Sequence, residues 1–345
     1  MSESHFDEFD EAHGLQEEYN HLFQKRSERR ERRVRKNQIA RRFREEASLE
    51  AIADLDATDG ALRITYQPSI HESGWLLDSL RQFFNQELIS DLLYIVKGGK
   101  EANVYCCQAG PSTGRSHLAV KVYRPHQFRK IRNDAQYKEG RHVLDAGGNA
   151  IVKDQRTFRA LAKKSKHGRE TARVSWLAHE YETQQALFQA GAAVPEPLAM
   201  ANNAILMEYV GDGRAAGPTL SQVELAPDEV WPLFSDVLRT VETLLRQGKI
   251  HGDLSAYNIL YWQGAVKVID FPQVIDAQQN ASAAELLLRD ITRVCDYFGR
   301  QGLPIDAAAL TDALWRTYVG PAAGADESNA IELAAFHQPP PGISS

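Results

Sequence analysis

An aspartate, an asparagine five residues on and a second aspartate twelve residues beyond that give this 345-residue chain its clearest chemical signature. The segment His251-Gly252-Asp253-Leu254-Ser255-Ala256-Tyr257-Asn258-Ile259-Leu260 has the form of a phosphotransferase catalytic loop. Its spacing has a mechanical reason. An acid at Asp253 would take or orient the proton of an attacking hydroxyl, while the amide oxygen of Asn258 would hold magnesium against phosphate. The run Val266-Lys267-Val268-Ile269 then delivers Asp270 at a strand end, a second hard oxygen ligand of the type magnesium prefers. Alone, an Asp-x4-Asn pair could be an Asp-capped turn; Asp270 at this distance makes that reading weak.

Two further positions extend the pattern upstream. Ala119-Val120-Lys121-Val122-Tyr123 places a lysine in an apolar strand, where an unpaired ammonium is costly, so it needs a carboxylate and phosphate oxygens. Glu180 is the expected carboxylate, because on a helix it shares a face with Trp176 and Leu187. Taken singly, each could be an ordinary snorkelling lysine or surface glutamate. Gly98-Gly99-Lys100 opens a strand-turn-strand that would cover phosphates, glycine allowing close backbone approach and Lys100 adding charge. As a bare glycine motif it is weak and reads equally well as a hairpin turn.

The elements that must position these groups follow from periodicity. Trp75, Leu76, Leu80, Phe83 and Phe84 recur at helical spacing, and Leu92 to Val96, Ala102 to Cys107 and Leu118 to Tyr123 form an antiparallel meander. The polar, basic stretch 125–172 reads as a mobile insertion. A helix over Ala172 to Ala190 ends at Gly191, and an extended path forced by Pro195 and Pro197 leads into a buried strand at Ala204 to Met207. Asp228 is expected to cap a helix burying Val230, Phe234, Val237, Val241 and Leu244, with Pro232 in its first turns. A hairpin turning at Gln263-Gly264 and helices over Ala283 to Phe298 and Ile305 to Tyr318 complete the order. The proline-rich end at His337 to Pro341 is not expected to pack.

Bulk properties exclude several classes. Hydrophobic residues make up 43% and charged residues 25% of the chain, enough for real cores, and no apolar run approaches the roughly 18 residues of a membrane helix. The polar start lacks a secretory signal, so a cytoplasmic address and no membrane partner are expected. Cys106, Cys107 and Cys295 fit neither a disulfide framework nor a metal spacing and read as reduced, buried thiols. The net charge of −6 hides an asymmetry: Lys25 to Arg44 holds eleven basic residues against two glutamates. That arm reads as a charged surface helix or as an RNA- or ribosome-binding arm. The expected organisation is an extension over 1–60, an N-lobe over 61–210, a C-lobe over 211–322 and a flexible tail over 323–345.

The runs GGKEANVY (98–105), AVKVYR (119–124), HEYETQQAL (179–187), AGAAVPEPL (190–198), ILMEYVG (205–211), HGDLSAYNIL (251–260) and VIDFPQVID (268–276) together resemble the RIO family of atypical serine/threonine protein kinases, in particular its type 1 branch. The resemblance implies an α+β, two-lobed protein-kinase-like fold of trimmed type, with an antiparallel N-lobe sheet carrying one key helix and a mainly helical C-lobe. It implies ATP with Mg2+ or Mn2+, and a protein substrate or autophosphorylation, with ATPase activity as a variant outcome and a link to ribosome or rRNA maturation. By carry-over Asp253 is the catalytic base, Asn258 and Asp270 are metal ligands, and Lys121 with Glu180 holds the phosphates. Met207 is the gatekeeper beside the adenine, whose edge meets the backbone of Glu208 and Val210. Three departures stand out. Gly99 lies where the family commonly has a Ser-Thr-Gly run, Phe271-Pro272 replaces the usual Phe-Gly, and Gly252 replaces an arginine that reads activation-loop phosphate in many kinases. Small-molecule kinases of the aminoglycoside and choline type share the HGDLxxxNIL pattern, and a nucleotide-gated ribosome-binding factor would suit the basic arm; both remain alternatives.

Overall fold

The computed structural model describes residues 63–99, 101–124, 166–201, 203–320 and 327–339. The arm Lys25 to Arg44, Lys100 and most of the 125–172 insertion lie outside the described residues. The chain divides into two units, Met1–Ala61 with Pro68–Leu77, and Leu62–Gln67 with Asp78–Ser345; the candidate site lies wholly within the second.

A six-stranded sheet forms the N-terminal part, in the order β1 (Arg63–Ile64), β2 (Ile89–Gly98), β3 (Ala102–Ala109), β4 (His117–Tyr123), β6 (Ala204–Glu208), β5 (Pro197–Ala201). All pairings are antiparallel except the two-residue β1. Alternation fixes the register: on β4, Leu118, Val120 and Val122 are fully buried on one face while Ala119 and Lys121 look to the other. Helix α1 (Ile70–Asn85) lies between β1 and β2 in the chain and buries Leu80 and Phe83. Helix α2 (Lys166–Gln189) follows β4 in the chain and stops where Gly191 adopts a left-handed φ of 76°. It starts six residues before the expected Ala172. Strand β5 was expected only as an extended path; Pro197 opens it at the sheet edge, where a missing N–H costs nothing.

The C-terminal part is helical around one apolar core. Helix α3 (Pro227–Arg246) buries Val230, Phe234, Val237, Val241 and Leu244 as its period requires. Its start corrects the expectation at Asp228. Pro227 occupies the first helical position, Ala226 is the N-cap, and the Glu229 carboxylate accepts the Ala226 N–H at 3.2 Å, so Asp228 sits in the first turn as a dipole partner. Pro232 therefore lies in the helix interior.

Helix α4 (Ala283–Arg300) packs on α3 through the Phe234–Phe298 edge-to-face pair at 5.4 Å, and α5 (Ala307–Tyr318) is capped by Asp306. Between α3 and α4 run β7 (Lys249–Ile250), the hairpin β8 (Ile259–Trp262) and β9 (Ala265–Val268), and β10 (Ile275–Asp276), which pairs with β7. The C-terminus departs from the expected unpacked tail: helix α6 (Glu327–Ala335) buries Leu333, and His337 Nε2 lies 2.7 Å from Glu242 Oε1. Cys106, Cys107 and Cys295 are buried free thiols, and burial pushes the last up to about 12. Among the described residues no helix is long and apolar enough to cross a membrane.

Candidate active site

Lys121 stands mid-strand in the middle of the sheet, opposite Val104 on β3 and Ile205 on β6. Its Nζ lies 2.7 Å from Glu180 Oε1 and 2.5 Å from Asp270 Oδ1, so one ammonium joins the sheet, helix α2 and the end of β9. Burial alone would pull the ammonium down, but Asp270 and then Glu180 more than reverse that and hold it well above the usual lysine value. Glu180 is only 2% exposed. Its second oxygen accepts the Tyr123 hydroxyl, and burial and Glu180 together push that phenol well up, keeping it a donor. Tyr123 is fixed in turn by an edge-to-face contact with Trp176 at 4.7 Å.

Asp270 adopts a left-handed φ of 74° just past β9, a conformation a short polar side chain tolerates better than most. The preceding Ile269 N–H bonds Asn258 O at 2.9 Å, tying the Asp270 strand end to the 251–260 loop. Burial would raise the Asp270 carboxyl, but Lys121 outweighs it and holds the group below its ordinary value.

The loop itself hangs from helix α4. Gly252 N–H donates to Asp290 Oδ2 at 2.7 Å, and Arg289 donates to Gly252 O. Gly252 has a φ of 79°, a backbone conformation in which a side chain would be strained. His251 is 2% exposed and is held down in pKa chiefly by burial, hence neutral. Its Nδ1 accepts the Asp253 N–H at 3.3 Å, so Nε2 carries the hydrogen and donates to Ile269 O at 3.2 Å. Asn258 donates through Nδ2 to Asp253 O at 2.9 Å and, longer, to Asp253 Oδ2 at 3.4 Å. Asp253 Oδ1 pairs with Arg293 Nη1 at 2.9 Å. Asp253, Asn258 and Asp270 are thus brought together by one contiguous network with Lys121 and Glu180.

On the sheet side, Gly98 ends β2, and Gly99 N–H reaches Asn103 Oδ1 at 3.3 Å. A Cβ on Gly99 would come within 2.6 Å of Ala102 O, so the turn admits no side chain. Met207 pairs with Ala119 across β4 and β6 and packs against an apolar group of Cys106, Ala119 and Tyr209. Glu208 commits its carboxylate to Lys267 at 3.3 Å and to the Glu196 N–H at 3.1 Å, and its own N–H to Glu196 O. Val210 O accepts the Gly217 N–H at 2.8 Å.

The donor set fits a hard divalent cation. Asn258 turns its Nδ2 toward Asp253, which leaves Oδ1 as a neutral oxygen ligand, and Lys121 engages one oxygen of Asp270. Among the described residues no group of three or more His, Cys, Asp or Glu could hold a metal unaided.

The RIO domain model matches residues 103–310, more than half of the chain. The chain belongs to the RIO domain family. It is 27% identical over 263 residues to the serine/threonine-protein kinase RIO1 of Chaetomium thermophilum, covering 72% of this chain and 46% of that protein. It is 30% identical over 220 residues to the RIO-type serine/threonine-protein kinase Rio1 of Haloferax volcanii, covering 62% and 66% respectively. The Thermoplasma acidophilum protein of the same name is 29% identical over 194 residues, 56% of this chain and 91% of its own. The chain thus aligns with about half to two thirds of the length of the first two relatives. The RIO match contains Lys121, Glu180, Met207, Glu208, Val210, Asp253, Asn258 and Asp270 and begins after Gly98 and Gly99.

Sequence reasoning missed four members of this RIO site. Asp290 is 2% exposed, and its burial pushes its carboxyl up to about 7. The signal was present, since Asp290 falls on the same face of α4 as Leu286, Leu287, Ile291 and Val294, where an acid needs a reason. Tyr123 was quoted as a strand residue with no role. Arg289 and Arg293 lie on α4, and nothing in their spacing points to the loop.

Proposed function

We propose that the chain is an ATP- and magnesium-dependent serine/threonine protein kinase of RIO type, transferring phosphoryl to a protein hydroxyl or to itself. The observation that carries the reading is Lys121 bridging Glu180 and Asp270 beside the Asp253–Asn258 loop. Magnesium held by Asn258 and Asp270 would supply charge neutralisation at the phosphates. Lys121, kept charged by its two carboxylates, hands its Asp270 contact to phosphate oxygens while Glu180 and Tyr123 retain it from behind. Asp253 accepts and orients the attacking hydroxyl, its backbone fixed by His251 and Asn258. The adenine lies against Met207, with Val210 N–H and Glu208 O at its edge, and Gly98, Gly99 and Lys100 close over the phosphates. The apolar group of Cys106, Ala119 and Tyr209 supports that placement.

Incubation of the purified protein with labelled ATP and magnesium, following label into the protein, water, acceptor proteins and a metabolite panel, tests the reading. Label on serine or threonine is expected. Label on an aminoglycoside- or choline-like metabolite alone would replace the protein kinase by a small-molecule kinase.

A further inference from the structure

Arg293 is left without a role by the reading above, yet it touches the group that reading places at the reaction centre. Its Nη1 lies 2.9 Å from Asp253 Oδ1, and both side chains are well exposed, 41% and 38%. Arginine–carboxylate pairs this open to water contribute little to stability, so the guanidinium can leave Asp253 at small cost.

The charge count around the site shows where it would go. Three carboxylates converge there, Glu180, Asp253 and Asp270, and Lys121 is already shared between two of them. From His251 to Asn258 the catalytic loop contains no lysine or arginine. Phosphoryl transfer passes through a loose transition state whose negative charge is spread over the equatorial oxygens, and a positioned arginine is effective at that charge. The attacking hydroxyl must lie about 3 Å from the Asp253 carboxylate, and the phosphorus about 3 to 3.5 Å beyond. Those oxygens fall within the swing of a long side chain anchored on α4 and resting on Asp253. Helix α4 also fixes the loop through Asp290 and Arg289, so the cation and the base share one rigid support.

We propose that Arg293 is a catalytic residue, acting in cis as the cation that stabilises the transferring phosphoryl group on the acceptor side. The proposal rests on the kinase reading of Asp253. It adds no covalent step: the phosphoryl leaves the ADP oxygen for the acceptor oxygen, the acceptor proton passes to Asp253, and Arg293 stays protonated throughout.

Arg293→Ala should lower kcat by about 10²- to 10³-fold with little change in affinity for ATP, and Arg293→Lys should retain part of the rate. A rate alone does not separate contact with phosphoryl from orientation of Asp253. The deciding measurement is equilibrium binding of MgADP with aluminium fluoride, compared with MgADP alone, to wild type, Asp253→Asn, Arg293→Gln and the double variant. On the proposal, Arg293→Gln weakens the aluminium fluoride complex by at least about 10-fold whether or not Asp253 is present, and leaves MgADP binding alone. If the arginine change is silent in the Asp253→Asn background, Arg293 merely orients Asp253 and the proposal is overturned. If wild type binds neither complex, the kinase reading falls with it. Normal MgADP affinity in each variant certifies its fold.

Discussion

The two sides of the candidate site are built on opposite principles. On the sheet side, Lys121 and Glu180 are shut in, 12% and 2% exposed, and every oxygen of Glu180 is engaged by Lys121 or Tyr123. On the loop side, Asp253 and Arg293 stand open to solvent, and what is buried is the backbone support: His251, Asn258 and Asp290. On the proposed reading, a group that holds phosphate gains from a drier setting, where its attraction to an opposite charge is stronger. A group that must meet a changing acceptor needs access, and rigidity has to come from its main chain.

The largest expected effect breaks the open side. Asp253→Ala should lower turnover by roughly 10²- to 10⁴-fold while nucleotide affinity is kept, because it removes a positioned base and no phosphate contact. Asp270→Ala should instead lose magnesium-dependent nucleotide affinity, measured by titration with and without the cation. Small and equal effects of both would dissolve the distinction between the two carboxylates.

The closed side should behave differently, with stability and activity both at stake. Lys121→Met leaves Glu180 buried with only Tyr123 as partner, and a lost partner in a buried pair costs about 3 to 5 kcal/mol. Adding Glu180→Gln should recover much of the melting temperature and none of the activity. A double variant no more stable than the single one would show that the pair is not what burial makes costly.

The same contrast explains what was legible in the sequence. Lys121 was readable because a cation inside an apolar strand demands partners, and Glu180 because its helical face is apolar. Asp253, Asn258 and Asp270 were readable as a group because their spacing follows a loop and a strand end that the fold draws together. Asp290 was readable in principle, as an acid on the buried stripe of α4. Arg293 was not, since an exposed arginine has no local signature and its partner lies 40 residues away. Strand β5 was blurred by Pro195 and Pro197, and α6 by a short, alanine-rich pattern that gains order from Leu333 and the His337–Glu242 contact.

A subtler test addresses the support of the open side. With its carboxyl pushed up to about 7, Asp290 binds a proton more tightly in the folded state than unfolded. Its contribution to stability is therefore present at acid pH and lost as pH rises from about 4 to about 7, on the order of a few kcal/mol at most. Asp290→Asn keeps an oxygen for the Gly252 N–H and cannot ionise. The melting temperature of wild type should fall relative to the variant across that window, whereas parallel curves would mean that Asp290 is not held protonated.

The smallest effect on the site is expected from deleting Lys25 to Arg44, and it shows whether the contrast between the two sides is self-contained. The arm's eleven basic residues oppose a remaining chain that is strongly acidic, and it lies outside the family match at 103–310. Turnover on a generic acceptor should survive the deletion, because Lys121, Glu180, Asp253, Asn258 and Asp270 reach one another without it. If the arm binds RNA through phosphates, association of the intact chain should weaken with salt at a logarithmic slope of about −0.7 per phosphate neutralised on single strands. Deletion should flatten that slope and reduce co-sedimentation with ribosomal particles. An arm that only docks on its own acidic body predicts no RNA binding even at low salt, and that result would confine the chain's chemistry to the two sides of the candidate site.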